Sequence, residues 1–106
     1  MRAIIVGTGR MGLVHALALR QNGITDVVGF DIDKEVRANF TSRTTLEARP
    51  ASELGAYIKS EEFELAVIAT TTPSKAQIVE QLIRSRKPNT ILVEKPFADS
   101  LMRSRD

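Results

Sequence analysis

The sequence contains no cysteine and only one histidine, His15. Without cysteine, neither a disulfide framework nor a thiolate metal site can form, which fits the reducing cytoplasm where we expect the protein to work. A metal site would have to rely on carboxylates, and the sequence shows no acidic cluster that suggests one. The sequence therefore predicts no metal.

Long apolar runs are also lacking. After Arg2, the N-terminus has only four apolar residues, Ala3–Val6, before Gly7. A signal peptide needs an apolar region of roughly 7–15 residues, and a membrane span needs about 20. We therefore expect neither a leader nor a membrane anchor.

Aromatic residues make up only 5% of the chain, and its 15 basic residues are interleaved with 13 acidic ones. The one basic cluster, Arg84–Lys87, lies where a helix is predicted to end, and cations at that position complement the helix dipole. A solvated helix end explains the cluster better than a nucleic-acid surface does. No nucleic-acid partner is predicted.

The sequence does have four short, continuous apolar runs. Such runs are typical of strands buried on both faces of a parallel sheet. A fifth, weaker strand is predicted around Arg43–Glu47. Segments with helical spacing separate the strands, which predicts a doubly wound α/β sheet in the order 3-2-1-4-5. The four runs are Ala3–Val6, Val27–Phe30, Leu65–Ala69 and Ile91–Val93.

Apolar stripes mark the faces that the helices are expected to bury. The last helix follows Pro73, with Ser74 and Gln77 forming a capping box, and Gly23 is expected to end the first helix. From the first helix to the last, the predicted stripes are Met11, Val14, Leu17 and Ala18; Val36 and Phe40; Leu54, Tyr57 and Ile58; and Ile78, Val79, Leu82 and Ile83.

A GxGxxG motif follows the first strand and opens the first helix. Its first glycine allows a tight turn, its second lets the backbone approach a pyrophosphate, and its third lets helix and strand pack closely. The helix start then offers free N–H groups to the phosphates. A glycine-rich turn without a ligand is the alternative. The motif consists of Gly7, Thr8, Gly9, Arg10, Met11 and Gly12.

Asp31 follows the second strand, 19 residues after Gly12. An acidic residue at this position hydrogen-bonds the adenosine ribose and repels the 2′-phosphate of NADP, so NAD is the predicted cofactor. NADP stays possible because Lys34 or Arg37 could accompany a 2′-phosphate. Asp31 could instead cap the next helix, although Asp33 could fill that role.

Two polar segments end the third and fourth apolar strands, namely Thr70–Pro73 and Glu94–Pro96. Ligands of open α/β sheets bind outside the carboxyl ends of the strands, so these segments should converge with the glycine loop and Asp31. His15 lies inside the first helix. We expect it to pack beside the sheet or near the glycine turn, since the sequence places no partner for it.

These motifs together resemble those of the glucose–fructose oxidoreductase, inositol dehydrogenase and MocA family. The resemblance rests on the glycine motif, on Ala69–Pro73 and on Val93–Pro96, and covers essentially the whole chain. It implies an NAD(P)-binding Rossmann domain over residues 1–106, followed in the family by a substrate domain built on an open antiparallel sheet. The implied reaction is hydride transfer between NAD(P) and a hydroxyl or keto group of a sugar or cyclitol.

The same resemblance implies roles for individual residues. Lys95 would lie near the nicotinamide ribose and the reacting oxygen, with Glu94 orienting it, and the Lys95–Pro96 peptide would be cis. Thr70, Thr71 and Pro73 would contact the cofactor. Family members often carry a histidine where this chain has Gln77.

The chain ends at Asp106, ten residues past Pro96. A sixth strand and the substrate domain are therefore expected to be absent, and these residues alone should be inactive. A homo-oligomer is expected. Two alternatives stay open: a non-catalytic nucleotide-binding or redox-sensing module, and one half of a split enzyme.

Overall fold

The computed structural model describes residues 1–70, 73 and 75–94. Strands and helices alternate along this part of the chain, as the sequence predicts, with one short 3₁₀ helix, Ala51–Glu53, before the third α-helix. The strands are β1 (Arg2–Val6), β2 (Asp26–Asp31), β3 (Glu47–Pro50), β4 (Leu65–Ile68) and β5 (Thr90–Val93), and the helices are α1 (Arg10–Gln21), α2 (Lys34–Thr44), α3 (Leu54–Ser60) and α4 (Lys75–Ser85).

The five strands form one parallel sheet in the order β3-β2-β1-β4-β5, which confirms the predicted topology. The register places Ile4 of β1 opposite Val28 of β2 and Ala66 of β4. Because every strand runs in the same direction, all five carboxyl ends meet at one edge of the sheet. That edge is where a ligand of an open α/β sheet is expected.

A hydrophobic core lies on each face of the sheet, because the side chains of β1 alternate between the faces. Ile4 and Val6 pack with residues of α3 and α4, including Tyr57 and Leu82. Ala3 and Ile5 pack with α1 and α2 on the other face. Both faces are buried, which explains why the strands are continuous apolar runs instead of alternating ones.

The predicted buried face of α1 is wrong. Met11, Val14 and Leu17 are 39%, 52% and 39% exposed, and Ala18 is exposed as well. The helix instead buries its small residues, Gly12 and Ala16, with Leu13 and Leu19 packed partly against the core. Small side chains let α1 lie close to the sheet, and this close approach turns the larger apolar residues outward.

The predicted position of the weakest strand is also wrong. Arg43 belongs to α2, which continues to Thr44, and β3 spans Glu47–Pro50. Thr45 ends the helix with a left-handed φ of 63°. The buried Thr44 hydroxyl donates to the carbonyl of Phe40 and accepts from the amide of Leu46, which fixes the turn into the strand.

The remaining helix predictions are confirmed with one exception. Leu54, Tyr57 and Ile58 of α3 are buried, as is Phe40 of α2. In α4, Leu82 is buried and Ile78 and Val79 are partly buried against the core, but Ile83 is 62% exposed. Gly23 follows α1 with a φ of 82°, as a helix-ending glycine does.

Three further sequence predictions concern the basic cluster, the capping box of α4 and the lack of a membrane span. α4 ends at Ser85, inside the basic cluster Arg84–Lys87, and Arg84 forms an ion pair with Glu80. Ser74 of the predicted capping box lies outside the described residues. Among the described helices, none is long and apolar enough to cross a membrane.

Candidate nucleotide-binding site

The glycine loop between β1 and α1 can hold only glycine at its first and third motif positions. Gly7 has a φ of 99°, and a Cβ there would lie 2.7 Å from the amide nitrogen of Thr70. A Cβ on Gly12 would lie 1.9 Å from the Gly7 carbonyl oxygen. The first glycine thus makes the turn and the third packs the helix against it, as the motif predicts.

The N-terminus of α1 is open toward solvent. Gly9 is its N-cap, and no side chain caps the helix there within the described part of the chain. The first backbone hydrogen bond of the helix runs from the amide of Leu13 to the carbonyl of Gly9, 2.9 Å away. The amides of Arg10, Met11 and Gly12 precede it, so they are the orphan donors that favour an anion at a helix start.

Gly9 itself borders empty space. A Cβ placed on it would meet no heavy atom within 4 Å, so neither the packing nor its φ of −74° requires glycine. Room for the close approach of a ligand is the remaining physical reason for glycine at this position. The open side of Gly9 and the uncapped amides of α1 together fit a pyrophosphate.

Asp31 connects β2 to the glycine loop. Its carboxylate accepts hydrogen bonds from the amide of Thr8 at 2.8 Å and from the amide of Asp33 at 2.9 Å. A carboxylate has about four acceptor positions, so two remain for ribose hydroxyls. Helix α2 is capped by Asp33, whose side chain accepts from the amides of Glu35 and Val36. The alternative role of Asp31 as a helix cap is therefore wrong.

A basic side chain also lies beside Asp31. Arg37 donates from Nη1 to the backbone carbonyl of Asp31 over 2.9 Å. The guanidinium is therefore held at the carboxyl end of β2, where a 2′-phosphate would approach. Lys34 and Arg37 are the two basic residues that could accompany the 2′-phosphate of NADP. Arg37 is the one bonded to the Asp31 carbonyl, whereas Lys34 is the first residue of α2.

Thr8 contributes to the loop mainly through its backbone. The residue is 1% exposed, and its Oγ1 has no hydrogen-bond partner among the described residues. Its methyl group occupies the space that a Cβ on Gly29 would need, 2.5 Å away. The side chain therefore packs between the loop and β2, while the backbone amide donates to Asp31.

Three of the predicted residues, Gly7, Asp31 and Thr70, line one cleft at the carboxyl edge of the sheet. Asp31 lies on one wall, and Ile32, 78% exposed, lies beside it. An apolar cleft with one carboxylate, next to an anion site, fits the adenosine half of a dinucleotide. The full lining is Val6, Gly7, Phe30, Asp31, Ile32, Ala51, Thr70 and Ile78.

The second polar segment is described only in part. Thr70 lines the cleft, and Pro73 is exposed. Thr71 lies outside the described residues, as do Lys95 and Pro96, so the expected cis peptide is outside them as well.

Glu94, the last described residue after β5, has three hydrogen bonds with other described residues. Its amide donates to the carbonyl of Ile68 at 2.9 Å, and its carboxylate lies 3.1 Å from Nε2 of His15. Its backbone carbonyl accepts from Nζ of Lys75 at 2.6 Å. His15 lies beside the sheet as expected, but sequence reasoning missed its partner 79 residues away and missed Lys75 altogether.

Comparisons with known proteins agree with this geometry. The oxidoreductase family of glucose–fructose oxidoreductase, inositol dehydrogenase and MocA, described as having an NAD-binding Rossmann fold, matches residues 1–106. The inositol 2-dehydrogenase of Rubrobacter xylanophilus is 35% identical over 99 residues, which cover 91% of this chain and 27% of that enzyme.

Two solved structures share the fold. The myo-inositol 2-dehydrogenase of Lactobacillus plantarum superimposes with a TM-score of 0.73 at 21% identity, and the apo scyllo-inositol dehydrogenase of Lactobacillus casei with 0.70 at 15%. In both cases 99% of this chain matches 32% of the other chain. The chain thus spans about a third of the length of these relatives. It belongs to this family of oxidoreductases, and its Rossmann domain binds NAD.

Proposed function

We propose that residues 1–106 form the cofactor-binding domain of an oxidoreductase that acts on a cyclitol or a related sugar-like alcohol. NAD supplies the chemistry when bound, since its nicotinamide accepts or returns the hydride. The observation that carries the proposal is the convergence of Gly7, the first glycine of the motif, with Asp31 and Thr70 on one cleft. The substrate class is suggested by the inositol dehydrogenases that resemble this chain.

The described residues suggest which part of the chain would bind each part of the cofactor. The amides of Arg10, Met11 and Gly12 would hold the pyrophosphate, because they are the orphan donors of α1. The free acceptor positions of Asp31 would take the ribose hydroxyls. Thr70 would continue the site along the strand edge toward Glu94.

Further contacts with the cofactor are proposed for Thr71 and Pro73. Lys95 is proposed as a catalytic residue. An ammonium beside the nicotinamide would donate a hydrogen bond to the substrate oxygen and stabilise the charge that develops there. Glu94, which precedes it, would help to orient it. The reaction also needs an acid or base that accepts or returns the hydroxyl proton, and we propose that a substrate domain supplies it. A cytoplasmic location and a homo-oligomeric state are proposed as well.

A chimeric enzyme tests the proposal. The aligned segment of the R. xylanophilus enzyme, 99 residues long, is replaced by this chain, and NAD reduction is followed with inositol as substrate. We expect turnover that depends on NAD. A chimera that folds and binds NADH without turning over would favour a non-catalytic module. If activity appears only when the chain and the remaining domain are supplied as separate polypeptides, a split enzyme is favoured.

A further inference from the structure

The described end of β5 is held unusually well for an edge strand. Within the described residues, β5 pairs only with β4, and Leu92 and Val93 are 44% and 40% exposed. A four-residue strand with one neighbour should fray at its end. Glu94 nevertheless bonds three separate elements, namely β4 through Ile68, α1 through His15, and α4 through Lys75.

The two side chains that hold Glu94 come from opposite faces of the sheet. His15 belongs to α1, which packs in the core containing Ile5. Lys75 belongs to α4, which packs in the core containing Ile4. Glu94 is thus hydrogen-bonded from both faces of the sheet at its carboxyl edge. The side chains of His15 and Glu94 are 20% and 32% exposed, so water competes less for this pair than for a fully exposed one.

Holding the Glu94 carbonyl also constrains the next residue. The carbonyl of Glu94 shares a rigid peptide plane with the amide nitrogen and Cα of Lys95. The 2.6 Å bond from Lys75 therefore fixes the plane from which the chain continues to Lys95. The bond from His15 holds the Glu94 side chain on the α1 side of the sheet.

We infer that His15 and Lys75 are positioning residues, which together orient the Glu94–Lys95 peptide toward the nicotinamide. The inference rests on the proposed function, because it takes Lys95 to lie beside the nicotinamide. His15 and Lys75 thereby gain a role, although neither belongs to the glycine motif or to the two polar strand-end segments, and neither is the acidic residue Asp31. Neither residue contacts the cofactor in this account, since each acts through Glu94.

NADH fluorescence separates positioning from binding. In a titration of the 106-residue chain, the midpoint reports affinity and the plateau reports the environment of the nicotinamide. His15→Ala and Lys75→Met should lower the plateau by about half while the midpoint stays within about two-fold, because the pyrophosphate and ribose sites are untouched. His15→Gln, which retains a side-chain N–H donor, should restore most of the plateau.

Lys87→Met is the matched control for Lys75→Met. Lys87 also donates to a backbone carbonyl, that of Glu61, at 2.8 Å, but the Glu61 carbonyl lies far from the cleft, before β4. Losing this bond should lower the melting temperature without changing the plateau. Lys95→Met should lower the plateau if the nicotinamide lies where we propose.

The outcomes distinguish the two proposals. A lowered plateau in Lys95→Met with unchanged plateaus in both His15→Ala and Lys75→Met would overturn the positioning role alone. An unchanged plateau in Lys95→Met would overturn the nicotinamide placement and the positioning role with it. If the variants do not fold, the ring resonances of His15, the only histidine, provide the test in the unmodified chain. NADH should shift them more than ADP-ribose, which lacks the nicotinamide, and equal effects of the two ligands would contradict the inference.

Discussion

The carboxylate of Asp31 accepts a hydrogen bond from the amide of Thr8 at 2.8 Å. The end of β2 and the glycine loop are thereby joined through one side chain, which also faces the cleft. The residue that we propose selects the cofactor therefore also shapes the glycine loop. A substitution at Asp31 should affect both affinity and selectivity.

We predict that the chain prefers NAD and that Asp31→Ser narrows or reverses the preference. Removing the carboxylate removes its repulsion of a 2′-phosphate and leaves Arg37 nearby. A hydrogen bond to a charged group contributes about 1.5–3 kcal/mol, so NAD should bind roughly ten-fold more weakly or worse. Calorimetric titration with NAD and NADP measures both effects.

Asp33→Ser is the control for this substitution. It removes the same charge two residues away and keeps a side chain that can cap α2. The NAD-to-NADP ratio should change much less than in Asp31→Ser. Tighter binding of NADP by the unmodified chain would show that Arg37 dominates and that the predicted preference is wrong.

We predict that the folded chain loses stability at alkaline pH because of Tyr57. Burial raises the pKa of this residue above its ordinary value, and the positive charge of Arg2 opposes the shift only in part. A raised pKa in the folded state means that the protonated form stabilises the fold. This contribution is complete below about pH 10, the pKa of an unfolded tyrosine, and is lost as the pH rises through the folded pKa.

Absorbance at the tyrosinate band measures this pKa directly, because Tyr57 is the only tyrosine. The midpoint should lie higher in the folded chain than in urea. Tyr57→Phe should keep the packing against Phe30, whose ring centroid lies 5.2 Å away, and should make unfolding less dependent on alkaline pH. A folded midpoint at or below that of the unfolded chain would contradict the prediction.

The 106-residue chain should self-associate. The outer edge of β5 has no strand beside it among the described residues, and Leu92 and Val93 are exposed. Such an edge favours pairing with another strand. Light scattering should show a mass above that of the monomer, rising with concentration, and a strict monomer at high concentration would refute the prediction.

Charge at this edge should weaken the association. Replacing Leu92 and Val93 with lysine should shift the chain toward the monomer, because lysine disfavours edge pairing. Ile83→Lys serves as the control, since Ile83 is also an exposed apolar residue, 62% exposed, but belongs to helix α4 and not to the edge strand. It should leave the association nearly unchanged.

Lys95 is predicted to act in catalysis more than in binding. In the chimera, Lys95→Met should leave NADH affinity within a few-fold and reduce kcat by about 10²-fold or more, the scale expected for loss of a positioned catalytic group. Steady-state kinetics and NADH titration on both proteins measure the two effects. The 106-residue chain itself should show no turnover, and unimpaired turnover in the Met variant would exclude a catalytic role for Lys95.

Sequence reasoning predicted most of the architecture because its signals are local. The apolar runs marked four of the five strands, and the strand–helix alternation predicted their order. The glycine motif and Asp31 were also predicted correctly as neighbours, because parallel strands bring their carboxyl ends to one edge. Each of these signals depends on residue type and spacing within a short segment.

The failures have long-range causes. The buried face of α1 depends on how closely Gly12 approaches Gly7, which overrides the larger apolar stripe. β3 is an edge strand with little apolar content, so its position was misjudged by a few residues. The contacts of Glu94 with His15 and Lys75 join segments far apart in sequence, and neither leaves a periodic signal.

The central claim is that the glycine loop of this chain holds the pyrophosphate of NAD, and Gly9→Val tests it most directly. A Cβ on Gly9 meets no protein atom within 4 Å, so the variant should still fold, with a loss of about 1 kcal/mol for valine at the N-cap, while its isopropyl group blocks the ligand. Gly55→Ala is the control, because Gly55 lies in α3 and its added Cβ would make an ordinary 3.6 Å contact. In calorimetry, the unmodified chain and Gly55→Ala should bind NAD with similar affinity, and folded Gly9→Val should show no binding. Unchanged affinity in folded Gly9→Val would contradict the account.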